Sequence, residues 1–161
     1  HARTSRYIAP EILDTEIGHS FGVDWWALGV MCFEMLAGRP PFVGSDEMET
    51  FAQIKSSKPH SIKWSGGEKP VKGAAKDVIG KLLCVDCKQR LGCKENGAHD
   101  VKAHKFFSGM DWERLINRQV GPPHEPYVND EVDTSNFDEY QPDIEETPEP
   151  DLAGGDPFSD F

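Results

Sequence analysis

Positive charge is missing from the C-terminal part of the sequence. After Arg118 the chain contains no lysine or arginine, although it contains 13 aspartates and glutamates. Residues 1–118, in contrast, carry 17 basic and 15 acidic side chains, so the formal charge of −11 comes from the tail. Such a tail argues against nucleic acid or an anionic membrane as its partner, and it favours a basic protein surface or a basic substrate.

Long apolar runs and dense cysteines are missing as well. No run is long enough to span a bilayer, which predicts a chain without a transmembrane segment. The 161 residues include only Cys32, Cys84, Cys87 and Cys93, too few for a disulfide scaffold. We therefore expect reduced thiols in a cytoplasmic protein.

The third absence is a convincing strand pattern, and the packed part is predicted to be all-helical, hence mainly α. Residues 25–37 are apolar on nearly every side, which predicts a buried helix that ends at Gly38 before Pro40 and Pro41. The other helices are predicted over 7–14, from Ser45 or Asp46 to about Ser56, over 74–84, over 98–104, and for one turn near Trp112.

From Gly121 onward prolines and acids replace hydrophobic residues, which rules out long helices and predicts a tail that is disordered on its own. Three apolar islands interrupt it at 127–128, 137–140 and 158–161. They are either anchor points on a folded body or aromatics scattered along a disordered segment.

Two features of the helical part suggest binding chemistry. Glu34 is a carboxylate inside an apolar helix, which is costly unless it is paired. It either receives a cation from outside or forms an internal ion pair. Cys84-x-x-Cys87, with Cys93, His99 and His104 nearby, superficially offers zinc ligands. The spacing matches no familiar zinc knuckle, and Cys84 is predicted to lie on the buried helix face, so we expect no metal site.

Several motifs in order resemble one family. Tyr-Ile-Ala-Pro-Glu at 7–11, Val-Asp-Trp-Trp-Ala-Leu-Gly-Val at 23–30 and Ala-Gly-Arg-Pro-Pro-Phe at 37–42 are similar to the C-lobe of an AGC-family Ser/Thr protein kinase. The match continues at 89–92, 96–97, 104–107, 111–112 and 133–138. The Pro-Pro-x-x-Pro-x-Val spacing at 122–128, and the acids and prolines before the final Phe, favour the cGMP-dependent kinases over protein kinase A.

The resemblance implies a partial domain that begins within a kinase. Residues 1–107 would form a partial C-lobe from the activation segment onward, and 108–161 the AGC C-terminal tail. The whole enzyme would phosphorylate Ser/Thr in basic peptides with ATP and Mg²⁺, under control of cGMP or cAMP. Its partners would be a kinase N-lobe and a cyclic-nucleotide-binding regulatory domain or subunit. The Gly-rich loop, strand lysine, catalytic-loop and metal-binding motifs do not occur in this sequence, so we expect residues 1–161 alone to be inactive.

The resemblance also assigns roles to individual residues. Four would meet the substrate: Thr4, which also supports the catalytic loop, Tyr7, Glu34, which receives a substrate arginine, and Tyr140. Phe137 would pack on adenine, Phe158 and Phe161 would dock on the N-lobe, and Glu11 and Arg90 would form a buried ion pair. Asp24 would accept N–H bonds from the catalytic loop, although it also suits a plain N-cap, and Thr4 also suits an ordinary loop.

One segment departs from the family. Arg3-Thr4-Ser5-Arg6 stands where the family has Gly-Thr-Pro-Glu, so a proline is lost and Arg6 replaces an acid that helps to attract basic substrates. This departure supports an alternative hypothesis, in which the chain is part of a kinase-like interaction module without catalysis.

Overall fold

A computed structural model of the chain describes residues 4–14, 16, 18–58, 62–64 and 70–138. Its helices are α1 (Gly22–Ala37), α2 (Glu47–Lys55), α3 (Gly73–Leu82), α4 (Ala98–Lys102) and α5 (Trp112–Ile116). Three short 3-10 helices span Thr4–Tyr7, Pro10–Ile12 and Lys105–Phe107. The described residues contain no strand, which confirms the mainly α fold class. No helix among them is long and apolar enough to cross a membrane.

The chain divides into two compact units, His1–Ile116 and Asn117–Phe161. All the helices belong to the first unit, where α1 packs against α3 and against the first 3-10 helix. In the second unit the described residues contain turns, bends and irregular backbone but no helix. Predictions for Tyr140, Phe158 and Phe161 lie outside the described residues.

Helix α1 provides much of the core, but only one of its faces is buried. The core cluster takes its residues from α1, α2, α3 and the connecting segments: Ala9, Trp26, Val30, Phe33, Ala37, Phe42, Ile54, Ile62, Val71, Val78, Ile79, Leu82 and Leu83. On the other face of α1, Phe21, Met31 and Met35 are exposed. The prediction of a helix buried on every side was therefore wrong, because nothing in the described residues packs against that face.

Two glycines set the position and the end of α1. A Cβ on Gly29 would lie 2.9 Å from the Cβ of Leu82, so its absence lets α1 and α3 approach closely. Gly38 has φ of 72° and donates its N–H to the Glu34 carbonyl, which ends the helix at the predicted residue. Asp46 caps α2, since its side chain accepts the Glu49 N–H at 2.7 Å.

Three predicted helix boundaries were wrong. The helix over 7–14 is two separate 3-10 helices, because Ala9 is extended, as residues before a proline prefer to be. Helix α3 ends at Leu82, so Cys84 lies beyond the helix and is half-buried instead of lying on its buried face. The helix over 98–104 ends at Lys102, and His104 then caps the 3-10 helix through its Nδ1, which accepts the Phe106 N–H.

Candidate functional site

A carboxylate on α1 and a tyrosine of the first 3-10 helix meet on the first unit. The Tyr7 hydroxyl donates a hydrogen bond to Glu34 Oε2 at 2.5 Å, and both side chains are half-buried. This hydrogen bond, together with partial burial, raises the pKa of Tyr7 above that of an ordinary tyrosine. Glu34 forms no ion pair within the described part of the chain, so the internal-pair alternative has no support there.

The geometry leaves Glu34 able to bind a cation. One carboxylate oxygen is held by Tyr7, and no hydrogen bond to the other occurs among the described residues. A half-buried carboxylate with a free oxygen favours a donor such as a guanidinium or an ammonium. Because Tyr7 orients the carboxylate, the site is preorganised for such a donor.

Arg90 connects three segments from a fully buried position. It pairs with Glu11 through two hydrogen bonds, Nη1 to Oε1 at 2.6 Å and Nη2 to Oε2 at 2.8 Å. Its remaining donors meet backbone carbonyls: Nη1 bonds Gly22 at 2.7 Å, Nε bonds Cys84 at 2.9 Å, and Nη2 reaches Val85 at 3.5 Å. We call these residues the Arg90 clamp. It ties the Pro10–Ile12 helix to the start of α1 and to the loop after α3.

Burial and the positive charge of Arg90 shift the pKa of Glu11 in opposite directions. Burial raises the pKa of its carboxyl, but the hydrogen bonds and positive charge of Arg90 outweigh that effect, so the pKa of Glu11 is lowered overall. The bidentate geometry suits arginine and not lysine. The clamp is structural, because neither side chain is left free to meet a ligand.

A pH prediction follows from the lowered pKa of Glu11. A carboxyl with a depressed folded-state pKa stabilises the fold above its unfolded pKa, about 4.3 for glutamate, and that stability is lost as the pH falls through the folded value. We expect the urea midpoint to fall more between pH 5 and pH 3 for the parent chain than for the Glu11→Leu/Arg90→Met variant, which cannot titrate there. Equal falls in the two proteins would contradict a stabilising role for the ionised Glu11.

The other candidate residues are placed separately. Asp24 is exposed inside the first turn of α1, and Phe21 occupies the N-cap position, so the plain N-cap alternative for Asp24 was wrong. Asp24 instead lines a shallow cavity with Phe21, Trp25 and Leu28. Thr4 opens the first 3-10 helix. In the second unit, Phe137 is exposed, with its N–H bonded to the Thr134 carbonyl.

Two arrangements were not anticipated from the sequence. The Trp26 ring stacks on Phe42 at 5.6 Å and lies 5.2 Å from the Arg90 guanidinium, so it packs directly on the clamp. His104 Nε2 lies 2.9 Å from Asp77 Oδ2, and Lys81 binds the same oxygen. The i,i+4 spacing of Asp77 and Lys81 could have indicated half of that cluster. No signal links Asp77 to His104, 27 residues away.

The cysteine thiols were the remaining candidate ligands. All four cysteines are free and half-buried. Burial raises the pKa of Cys93, whose Sγ would lie 3.1 Å from a Cβ on Gly22 beside the clamp. Within the described ranges no three His, Cys, Asp or Glu side chains converge to hold a metal ion.

Comparison with known proteins places these motifs in context. The family model described as "Protein kinase domain" matches residues 1–107. The chain is 43% identical over 140 residues to "cAMP-dependent protein kinase, catalytic subunit-like" of Caenorhabditis elegans, an overlap of 87% of this chain and 33% of that protein. It is 44% identical over 137 residues to "cAMP-dependent protein kinase catalytic subunit 3" of Drosophila melanogaster, covering 85% and 22% of the two chains.

A third relative carries a different name. "Ribosomal protein S6 kinase alpha-4" of Mus musculus is 39% identical over 141 residues, covering 84% of this chain and 17% of that protein. The chain thus spans one third or less of the length of these relatives.

Proposed function

Because the chain belongs to the protein kinase domain family, we propose that it forms the substrate-binding part of a Ser/Thr kinase C-lobe, with an AGC-type tail. The relatives confirm the AGC resemblance found in the motifs. The complete protein would transfer the γ-phosphoryl group of MgATP to Ser/Thr in basic peptides. The observation that carries this proposal is the half-buried Glu34 carboxylate, oriented by Tyr7 with one oxygen free of described partners.

Each candidate residue takes a role in this proposal. Glu34 would receive a substrate arginine or lysine, and Tyr7 would hold Glu34 in position. Thr4 would support the catalytic loop, and Asp24 would accept N–H bonds from the same loop. The Arg90 clamp would keep the Tyr7 segment seated on α1, since Glu11 follows Tyr7 by four positions.

The tail would complete the enzyme. We assign residues 1–107 to the partial C-lobe and 108–161 to the tail. Phe137 would pack on adenine, Tyr140 would lie near the substrate, and Phe158 and Phe161 would dock on the N-lobe. The residues described for this chain do not fit a Mg²⁺ site, so no step of phosphoryl transfer is assigned to them.

Regulation by a cyclic nucleotide is the finer part of the proposal. The Pro122-Pro123-x-x-Pro126-x-Val128 spacing and the acidic, proline-rich tail resemble the cGMP-dependent branch, and the four free cysteines favour a cytoplasmic protein. The names of two relatives favour cAMP as the second candidate. Activity of the full-length protein, measured with each nucleotide over a concentration series, distinguishes them. A half-maximal response to cAMP at the lower concentration would overturn the cGMP assignment.

Replacing Glu34 tests the proposal directly. In the complete kinase, Glu34→Gln should lower kcat/KM for an arginine-containing peptide about tenfold or more, because a charge-assisted hydrogen bond contributes about 1.5–3 kcal/mol. For the same peptide with alanine in place of arginine, kcat/KM should differ little between Glu34→Gln and the wild-type enzyme. Initial rates with radiolabelled ATP provide the measurement.

Glu95→Gln is the matched control, since Glu95 is exposed in a turn outside the candidate site. Glu95→Gln should leave kcat/KM unchanged for both peptides. An equal loss for both peptides in Glu34→Gln would assign Glu34 a purely structural role. No phosphorylation of any peptide above a buffer control by the complete wild-type chain would favour the interaction-module alternative.

A further inference from the structure

Three hydrogen bonds converge on one carboxylate within residues 127–137 of the second unit, which we call the tail loop. Asp133 Oδ2 accepts the Asn129 backbone N–H at 2.7 Å and the Asn129 side-chain amide at 2.9 Å. Asp133 Oδ1 accepts the Ser135 N–H at 2.8 Å. Both carboxylate oxygens therefore hold the chain, one on the segment before Asp133 and the other on the segment after it.

These hydrogen bonds keep the Asp133 carboxyl ionised. The Asn129 backbone N–H contributes most, followed by the hydroxyl and the N–H of Ser135, and together they lower the pKa of Asp133 to about 2. An ionised acceptor forms stronger hydrogen bonds than a neutral one. Asp133 is thus a charged acceptor at every pH at which a kinase would be assayed.

The tail loop is closed at its ends and carries an exposed aromatic ring. Asn136 Nδ2 donates to the Tyr127 carbonyl at 2.7 Å, and the Phe137 N–H donates to the Thr134 carbonyl at 2.9 Å. The Phe137 side chain has 77% of its surface exposed. The backbone of Phe137 is therefore fixed by the turn, while its ring is open to a ligand from outside.

Order in such a loop has to come from polar contacts, because its apolar side chains are exposed. Tyr127, Val128, Val132 and Phe137 are all more than half exposed, so they contribute little packing to the tail loop. A loop that must be ordered during binding loses affinity, whereas a loop already held in its bound conformation avoids that loss. Asp133 is the residue of the tail loop that accepts hydrogen bonds on both sides of itself.

We propose that Asp133 is a positioning residue for nucleotide binding, because its carboxylate preforms the turn that presents Phe137. This inference rests on the proposed kinase function, in which Phe137 packs on adenine, and deepens it by naming the group that holds Phe137 in place. Asp133 itself does not meet the nucleotide. It acts through the backbone of the tail loop.

The test measures how Asp133→Ala changes the kinetics of the complete kinase. KM for ATP should rise about fivefold, which is similar to the effect of removing a side chain that caps a helix. kcat and KM for the peptide should stay unchanged, because Phe137 would contribute equally to binding before and during the reaction. An unchanged kcat also shows that the variant is folded. Asp133→Asn keeps one acceptor oxygen, so its rise in KM for ATP should be smaller.

The sign of the change separates positioning from electrostatics. ATP is an anion, so the loss of a nearby negative charge would by itself lower KM for ATP. Glu131→Ala is the matched control, because Glu131 is an exposed acid of the same loop and forms no ion pair within the described part of the chain. Glu131→Ala should not raise KM for ATP. An equal rise in both variants would assign the effect to the charge of the tail and overturn the inference.

A double-mutant cycle shows whether Asp133 acts through Phe137. Phe137→Ala should raise KM for ATP, since it removes the ring that would contact adenine. If Asp133 only positions that ring, Asp133→Ala should cause no further rise when Phe137 is already alanine. A full, additive rise in the double variant would mean that Asp133 acts independently of Phe137, which contradicts the inference.

The same variants distinguish a failure of this inference from a failure of the proposed function. An unchanged or lowered KM for ATP in Asp133→Ala overturns the role of Asp133 and leaves the kinase function intact. If the complete wild-type chain phosphorylates no peptide, the proposed function fails by itself, and isothermal titration calorimetry with MgATP decides about Asp133. Binding about fivefold weaker in Asp133→Ala than in the wild type supports the inference, by the same comparison with a lost cap. Equal or tighter binding, or no binding by the wild type, refutes it.

Discussion

Replacing Arg90 with alanine is expected to lower the free energy of unfolding by about 3–5 kcal/mol, the loss typical of breaking a buried ion pair from one side. The variant would leave Glu11 charged, buried and without its cation. It would also remove the donors for the carbonyls of Gly22 and Cys84. Since domains are stable by only about 5–15 kcal/mol, much of the folded population would be lost.

Urea denaturation followed by circular dichroism measures this loss. Lys94→Ala is the control, because an exposed side chain outside such networks should change the free energy of unfolding by about 0.5 kcal/mol or less. Glu11→Leu/Arg90→Met should recover part of the loss, since replacing both partners leaves no uncompensated charge. A loss below about 1 kcal/mol for Arg90→Ala would contradict the structural role of the clamp.

The clamp also links the stability of this unit to the geometry of the candidate cation site. Glu11 lies on the 3-10 helix that directly follows the Tyr7 segment, and Arg90 fastens that helix to the first residue of α1. Glu34 lies further along the same α1. The two sides of the candidate cation site are thus held together by an ion pair that is itself buried. Variants of the clamp should therefore affect folding first and binding at the candidate cation site only secondarily.

The sequence predicted helices best where local chemistry marks their ends. Gly38 with the following prolines placed the end of α1, and Asp46 was one of two caps proposed for α2. Pro10 was ambiguous, because proline suits the first turn of a helix and also forces the preceding residue to be extended. The structure has the second outcome at Ala9, and local pattern alone could not have decided between them.

The candidate site depends on contacts between residues that are far apart in the sequence, and the periodic pattern of apolar residues cannot reveal such contacts. Glu11 and Arg90 are 79 residues apart, and only the family resemblance suggested their pairing. Apolar pattern indicated that Trp26 belongs to a buried helix, but it could not indicate that the indole would lie against the guanidinium of Arg90. For the same reason the open face of α1 was missed, since composition shows which helix is apolar but not which of its faces is covered.

Truncation of Trp26 should have an effect comparable to that of Arg90→Ala. The side chain is fully buried, stacks on Phe42 and covers one side of Arg90. Trp26→Ala should therefore lower the free energy of unfolding by about 3–5 kcal/mol, through lost burial and a residual cavity. Circular dichroism during urea denaturation is the appropriate measurement, because a change in tryptophan content alters fluorescence by itself.

Trp26→Phe distinguishes the contribution of the aromatic ring from that of the indole N–H. The indole N–H is buried and has no hydrogen-bond partner within the described residues, and such a group costs about 1–3 kcal/mol. Phenylalanine keeps an aromatic ring between Phe42 and Arg90 while it removes that N–H. We expect a loss below about 1.5 kcal/mol, because the relief of the unsatisfied donor offsets part of the lost volume. A loss equal to that of Trp26→Ala would mean that the indole N–H has a stabilising partner, and that the ring contributes less than its stacking suggests.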